Sequence, residues 1–163
     1  MSPIKEDPIN EIDELDSILN TMAQNIIRTS YSRDKTFSNI QTKCCNTVIE
    51  GGISIRSYSE FIQLINSCRV AFVLITTTYC PYCQLFKPVF FRVAREFAGK
   101  AVFIEANADY VPEVAETFNV YSTPTTVIII DKRPIDAILG YIPYNHFKRY
   151  VNDIVSYAEC GEI

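Results

Sequence analysis

The chain has 163 residues, of which 48% are hydrophobic and 21% are charged, as expected for one globular domain with a modest extension. Six cysteines are too few, at this length, for a small fold held together mainly by disulfides. Six acidic residues and one lysine give residues 1–16 a charge of −5, so the rest of the chain carries +1 of the total of −4. A near-neutral body with scattered basic residues excludes nucleic acid as an expected partner.

The N-terminal stretch "MSPIKEDPIN" is polar and contains no apolar run of the kind found in secretory signals. The longest apolar runs, "VAFVLI" and "TVIIID", are far shorter than a membrane-spanning helix requires. We therefore expect no membrane partner and a cytoplasmic location. Thiols normally stay reduced there, and a C-x-x-C pair is more often catalytic or metal-binding than structural.

The segment before the main domain predicts one helix followed by a linker. Between residues 10 and 28, apolar side chains recur at spacings of three and four, which is typical of a helix with a narrow apolar stripe: Ile12, Leu15, Leu19, Met22 and Ile26. Residues 29–45 are polar and show no periodicity. The expected domains are residues 1–45, a helical extension with its linker, and residues 46–163. A dimer or partner contact through residues 10–28 is a hypothesis, since such a stripe also suits a coiled coil.

From about residue 47 the pattern alternates between strand and helix. In chain order, the predicted strands are "VIEGGISI", "RVAFVLITTT", "AVFIEANA", "TPTTVIIID" and "IDAILGYI". The predicted helices are "SYSEFIQLINS", "PYCQLFKPVFFRVAREFAG", "VPEVAETFNV" and "PYNHFKRYVNDIVSYAEC". The order β-α-β-α-β-α-β-β-α predicts an α/β fold with parallel crossovers, an antiparallel edge hairpin and helices on both faces of the sheet.

Two cysteines three positions apart mark the junction of the second strand and the second helix. Cys80 follows the apolar strand and takes the N-cap position, with Pro81 in the first turn. Unpaired N–H groups and the positive end of the helix dipole favour an anion there, so we expect the Cys80 thiolate to be stabilised. Cys83, one turn along, would be more covered and close enough to form a disulfide with Cys80. Cys80 is the candidate nucleophile and Cys83 the candidate resolving thiol.

Several motifs in this order resemble the thioredoxin superfamily over about residues 47–157. They are "CPYC" after a buried strand, "NAD" at the end of the next strand, "TPT" at 123–125, and a glycine, Gly140, in the last strand. The resemblance implies a thioredoxin fold and a redox-active Cys80–Cys83 disulfide. It also implies a cis peptide bond before Pro124, and a Thr123 backbone that hydrogen-bonds an incoming substrate chain.

The dipeptide between the cysteines, Pro81-Tyr82, resembles that of glutaredoxins, and we regard both residues as auxiliary to the site. Glutaredoxins, however, have one strand before the motif, whereas here a strand and a helix precede the motif strand. After the strand that follows Pro124, the chain also lacks the Gly-Gly and acidic pair that glutaredoxins use to hold glutathione, and has "DKRPIDAILGYI" instead. A thioredoxin-like reductase of protein disulfides is therefore the favoured interpretation, with no bound cofactor and a thioredoxin-reductase-type or glutathione reductant.

The carboxylate of the thioredoxin motif strand has no counterpart at its usual position. Thioredoxins carry that carboxylate six residues before the first cysteine, where this chain has Leu74. Glu105, on the neighbouring predicted strand, is the candidate replacement. Our hypothesis is that burial makes its carboxylate a proton acceptor that helps to deprotonate Cys83. A strand-end glutamate that reaches solvent is the alternative.

The other candidate residues have simpler interpretations. One C-x-x-C supplies only two of the four ligands of a zinc site, and the single histidine, His146, is expected on the surface, so no metal is predicted. Cys44 and Cys45 are expected to be free thiols, because a bond between neighbours is strained. Plain thiols are also expected at two further positions, Cys68 and Cys160, although pairing with each other or with the linker stays open.

Aromatic residues flank the cysteine pair. Tyr79 and Tyr82 are candidates for contacting a substrate, whereas the spacing of Phe86 favours a place in the core. Two alternative functions remain open. One is a glutathione-dependent glutaredoxin or iron–sulfur carrier, and the other is a non-catalytic interaction module that recruits a partner through the N-terminal helix.

Overall fold

The computed structural model describes residues 44–160, so the helix predicted at residues 10–28 lies outside the described residues. Five strands and four helices follow in the predicted order. The strands are β1 (Gly52–Ile55), β2 (Val70–Thr76), β3 (Val102–Asn107), β4 (Thr125–Ile130) and β5 (Arg133–Leu139). The helices are α1 (Tyr58–Ile65), α2 (Pro81–Glu96), α3 (Pro112–Thr117) and α4 (Tyr144–Tyr157). None of these described helices is long and apolar enough to cross a membrane.

The strands form one mixed sheet in the order β1-β3-β2-β4-β5. β1, β3 and β2 run parallel, β4 pairs with β2 in the antiparallel sense, and β5 extends β4 as a hairpin. β2 lies at the centre and is buried along its whole length, as its run of branched side chains predicts. The α/β class and the mixed sheet with an antiparallel edge are thus confirmed.

The expectation that strands separated by a helix run parallel is wrong for β4. A parallel crossover has to bring the chain back along the full length of the sheet. Helix α3 has six residues, about 9 Å, whereas a six-residue strand spans about 20 Å. Helix α3 therefore does not carry the chain back to the starting end, and β4 runs back beside β2 from the end where β3 finishes.

Two hydrophobic cores lie on opposite faces of the sheet. Helices α2 and α4 cover one face, where Phe86, Phe90 and Phe147 pack on Phe72 and Phe103. Helix α1 and helix α3 cover the other face. Because side chains alternate along each strand, neighbouring residues of β2 contribute to different cores.

Local sequence signals account for the element boundaries. Ser57 caps α1, where its Oγ accepts a hydrogen bond from the backbone N–H of Glu60 at 3.2 Å. The hairpin between β4 and β5 turns at Asp131 and Lys132, which both have positive φ. Two consecutive left-handed residues match the right-handed twist of the flanking strands, so this short turn closes the hairpin without splaying it.

The four cysteines outside the C-x-x-C motif are disulfide-bonded, so the prediction of free thiols is wrong. Cys44 bonds to Cys160 and Cys45 bonds to Cys68. The two neighbours do not bond to each other, because successive side chains of an extended segment point to opposite sides. Cys44 consequently packs with the core under α2 and α4, and Cys45 with the core under α1 and α3.

Backbone hydrogen bonds hold the same segment in place. The N–H of Asn46 donates to the carbonyl of Ser67 at 2.7 Å, and the N–H of Arg69 donates to the carbonyl of Cys44 at 2.7 Å. Residues 44–46 therefore lie against the start of β2. We call this segment and its two disulfides the clamp.

Candidate active site

Cys80 begins helix α2 where the central strand ends. Its backbone is extended, and its Sγ accepts a hydrogen bond from the N–H of Cys83 at 3.1 Å. The side chain thus caps the helix, and its sulfur lies at the positive end of the helix dipole. Cys83 is fully buried, whereas Cys80 is 9% exposed, and the two form a disulfide with Cα atoms 5.2 Å apart. Cys80 is accordingly the more accessible of the two sulfurs.

The loop before β4 faces this pair. The peptide bond between Thr123 and Pro124 is cis, and the carbonyl oxygen of Thr123 lies 3.6 Å from the Cys80 Sγ. The Thr123 hydroxyl hydrogen-bonds the Thr77 hydroxyl at 3.0 Å, which ties the loop to the segment preceding Cys80. The structure therefore brings together four of the predicted site residues: Cys80, Cys83, Thr123 and Pro124.

A second contact fixes the segment between β2 and α2. Asp109, in the "NAD" motif, accepts a hydrogen bond from the backbone N–H of Thr78 at 2.8 Å. This N–H donates to the charged carboxylate and so lowers the pKa of Asp109 below its ordinary value. Asn107 supports the arrangement, since its Oδ1 accepts from the N–H of Asp109 at 2.9 Å. The motif was recognised from the sequence only as part of the family resemblance, and the contacts of Asn107 and Asp109 with the segment before Cys80 were not predicted.

Exposed tyrosines surround the site. Tyr79 is 96% exposed and Tyr82 is 63% exposed, and their contact with a substrate stays a prediction. Two further tyrosines were missed by the sequence analysis: Tyr110 is 70% exposed and Tyr121 is 93% exposed. Each directly follows or shortly precedes a residue of the site, Asp109 or Thr123, and that adjacency is the signal that could have identified them.

Glu105 is buried rather than solvent-facing. It lies opposite Leu74 in the sheet, on the face covered by α2, and is 7% exposed. The Ser54 hydroxyl donates a 2.8 Å hydrogen bond to Oε1. The ammonium of Lys87 lies 3.0 Å from Oε2, outside hydrogen-bonding geometry, so the contact is an ion pair rather than a directed hydrogen bond. The proton-transfer role of Glu105 stays a prediction.

Lys87 is a residue that the sequence analysis did not consider. It lies one helical turn after Cys83 in α2, and residues four apart share a helix face. Its stem is largely covered, and the charged head reaches the carboxylate of Glu105. A basic residue four positions after the second cysteine of a C-x-x-C helix is a sequence signal that could have revealed this pair.

Three further residues singled out in the sequence lie on α2 and α4. Phe86 is fully buried in the core beneath α2, and His146 is exposed on α4, both as predicted. Pro81 occupies the first turn of α2. Among residues 44–160, no cluster of three or more histidine, cysteine or acidic side chains could hold a metal ion.

Comparisons with known proteins point to one family. The family model described as Thioredoxin matches residues 53–153. Thioredoxin 2 of Chlorobaculum tepidum is 29% identical over 91 residues, which cover 56% of this chain and 84% of that protein. A thioredoxin of Staphylococcus haemolyticus is 33% identical over 85 residues, or 52% of this chain and 81% of that protein.

Solved structures agree on the fold. A mutant thioredoxin from Halobacterium salinarum superimposes with a TM-score of 0.60 at 17% identity, covering 66% of this chain and 94% of that one. Plasmodium falciparum thioredoxin superimposes with a TM-score of 0.57 at 24% identity, covering 64% and 98%. The match of the family model to more than half of the chain, together with these relatives, shows that the chain belongs to the thioredoxin family.

Proposed function

We propose that the protein reduces or exchanges disulfides in other proteins through the Cys80–Cys83 pair. Membership of the thioredoxin family supports thiol–disulfide oxidoreductase activity in general terms. The observation that carries the finer proposal is the position of Cys80 at the start of α2, bonded to Cys83 and 3.6 Å from the Thr123 carbonyl. The candidate nucleophile, the candidate resolving thiol and the segment proposed to dock the substrate are thus neighbours, which supports the proposal.

The reaction divides into two exchange steps. In the reduced protein, the Cys80 thiolate attacks one sulfur of a substrate disulfide; a bond from Cys80 to that sulfur forms, and the other substrate sulfur leaves as a thiolate. Cys83 then loses its proton and attacks Cys80, so that the Cys80–Cys83 bond forms and the second substrate thiolate leaves. The substrate gains two electrons, and the pair is oxidised. A reductase of the thioredoxin-reductase type, or glutathione, restores the dithiol.

The surroundings of the pair suit these steps. The first-turn N–H groups of α2 and its dipole stabilise a thiolate on Cys80. The tyrosine rings at positions 79 and 82 offer apolar contact area beside the sulfur. The backbone of Thr123, held by the cis bond to Pro124, would pair with an extended substrate segment. Glu105 would accept the proton of Cys83.

Insulin reduction with dithiothreitol tests the proposal directly. Cys80→Ser should reduce activity to the rate of dithiothreitol alone, because serine is not a nucleophile towards disulfides. Cys83→Ser should instead accumulate mixed disulfides on Cys80, which mass spectrometry of trapped complexes would identify. Unchanged insulin reduction by Cys80→Ser would contradict the proposal and favour a non-catalytic interaction module.

A further inference from the structure

Two threonine hydroxyls are buried beneath helix α2 without a hydrogen-bond partner among the described residues. Thr76 and Thr126 are both 0% exposed, and the Oγ1 of each is unbonded. An unbonded buried hydroxyl destabilises a fold, and folded proteins consequently satisfy most of their buried polar groups. Valine has the same shape without that penalty, so two such threonines point to a function outside stability.

Both hydroxyl-bearing residues lie on the face of the sheet that α2 covers. Thr76 follows Leu74 by two residues in β2, and Thr126 precedes Ile128 by two residues in β4. Leu74 and Ile128 belong to the core under α2 and α4, and alternation puts the two threonines on that same face. Thr126 lies directly opposite Leu74 in the antiparallel ladder, which makes the two threonines diagonal neighbours.

The sulfur of Cys83 lies on this same face. Cys83 is fully buried on the inner side of α2, one turn before Phe86, which packs in the core shared with Leu74. Its disulfide partner, Cys80, touches the carbonyl of Thr123, three residues before Thr126. The end of the sheet that holds the two unbonded hydroxyls is therefore the end on which the buried sulfur lies.

We propose that Thr76 and Thr126 hold the reduced Cys83 in its thiolate form by donating hydrogen bonds to its sulfur. In the disulfide, that sulfur is a weak acceptor, and the hydroxyls stay unbonded. Loss of the Cys83 proton in the second exchange step creates a buried charge that needs donors, and the two rotatable hydroxyls on β2 and β4 supply them. The inference deepens the proposed function, on which it rests, by adding two residues to the second exchange step.

The two threonines lie near Leu74, which stands at the position where thioredoxins carry a carboxylate. Leu74 has a polar residue on each side in the sheet: Glu105 on β3 and Thr126 on β4. Glu105 on β3 and Lys87, one helical turn after Cys83 in α2, form an ion pair on this face of the sheet, so their charges are already matched. Donors specific to the sulfur therefore come from the hydroxyl side. Tyr141, in the segment before α4, contacts Phe86 and adds a titratable phenol at the edge of the core beneath α2.

Titration of Cys83 in a Cys80→Ala protein tests the proposal. The other four cysteines are in disulfides, so Cys83 is the one cysteine that contributes a thiolate to the ultraviolet absorbance, and the variants share the same tyrosine background. Thr126→Val and Thr76→Val remove one hydroxyl each with little change of shape. Losing one hydrogen bond to a charged group should raise the titration midpoint by about one to two pH units.

Serine variants separate the hydroxyl from packing. Thr126→Ser and Thr76→Ser keep the hydroxyl donor and lose a buried methyl group. If the threonines act only through packing, serine should be the more harmful replacement. Our proposal predicts instead that valine is the more harmful one, because valine lacks the donor. In the chain with Cys80 intact, the valine variants should also slow insulin reduction and shift its pH profile upwards, and thermal unfolding should show them to be at least as stable as the parent.

Each outcome decides the matter. A raised midpoint in either valine variant, restored by the matching serine, supports the proposal. Parental midpoints in both valine variants, or equal shifts in valine and serine, overturn it. Failure of the unsubstituted protein to reduce insulin would instead overturn the proposed function, while the titration would still report on the hydroxyls.

Discussion

At the scale of single residues, the segment between β2 and α2 depends on a charged side chain. Asp109 accepts a hydrogen bond from the N–H of Thr78, two residues before Cys80, and this bond lowers the pKa of the Asp109 carboxyl. A lowered pKa in the folded state means that the interaction stabilises the fold above the ordinary aspartate value of about 4. The stabilisation is lost as the pH falls through the lowered value.

Asp109→Ala should therefore lower the unfolding temperature at neutral pH. In acid, the difference in unfolding temperature between the variant and the parent should become smaller. The same variant should slow insulin reduction, because the segment that carries Tyr79 and Cys80 loses an anchor. Thermal unfolding followed across the acid range measures the first effect. Asp153→Ala, at an exposed position of α4, is the matched control. A difference in unfolding temperature between variant and parent that stays constant down to the lowest pH would contradict this role of Asp109.

Single residues also show where sequence reasoning is strong. The capping position of Cys80 and the core position of Phe86 follow from local spacing, since an N-cap and an apolar helix face are properties of one segment. The neighbours of Glu105 could not be predicted in the same way. Ser54 and Lys87 come from β1 and α2, which only the folded sheet and its covering helix bring to that side chain.

At the scale of elements, helix α2 lies unusually close to the edge strand β1. Gly52 faces α2, and a Cβ built on it would overlap the ring of Phe91. The glycine therefore permits the close approach of strand and helix. The conformation of the neighbouring turn is a separate matter, since it depends on Gly51, which has a φ of +81°.

Gly52→Ala should destabilise the protein by about 1–3 kcal/mol, because an added methyl group forces the ring or the helix to move. Denaturant unfolding measures the change. Adding Phe91→Leu to Gly52→Ala should recover part of the loss, since the smaller side chain makes room. A Gly52→Ala protein as stable as the parent would show that the two elements can separate without cost.

The elements also show how far pattern reasoning extends. Strand and helix identities, and their order, follow from periodicities of two and of three to four residues, which are local. The direction of β4 does not, because it depends on whether the preceding connection returns along the sheet. Helix α3 has six residues, fewer than its apolar pattern predicted, and β4 starts at the end of the sheet where β3 finishes.

At the scale of the whole molecule, the clamp and the candidate active site lie at opposite ends of the central strand. Cys68 lies two residues before β2 and Cys80 follows it, and seven residues of strand span about 23 Å. The turn at Asp131 lies at the clamp end, where its N–H donates to the carbonyl of Arg69 at 2.8 Å. Exchange between the clamp disulfides and Cys80 within one molecule is therefore excluded by distance.

Removal of the clamp should lower stability and leave the chemistry intact. The Cys44–Cys160 bond joins residues 116 apart and the Cys45–Cys68 bond residues 23 apart. Loop-closure entropy gives upper limits of about 5 and about 3.5 kcal/mol for their contributions. Denaturant unfolding of two paired serine variants measures these contributions. The loss of unfolding free energy should be larger for Cys44→Ser/Cys160→Ser than for Cys45→Ser/Cys68→Ser. Insulin reduction below the unfolding transition should be unchanged; a matching loss of activity would contradict the separation of the two ends.

The paired cysteines also bear on where the protein works. The cytoplasmic location stays a prediction, and stable disulfides are typical of oxidising compartments. Peptide mapping without reduction, on protein isolated from its source, would show which bonds exist there. Intact clamp bonds would favour an oxidising compartment.

The sequence by itself determined the fold class, the order of elements, the family and the Cys80–Cys83 pair, because each depends on local periodicity, a cap or a short motif. Tertiary structure alone decided the partners of Cys44 and Cys45, the direction of β4, the burial of Glu105 and the gathering of Thr76 and Thr126 beneath α2. All of these depend on contacts between segments far apart in the chain. A side chain's spacing within its own segment predicts which face it occupies, but only the packed sheet determines which other segment meets it there.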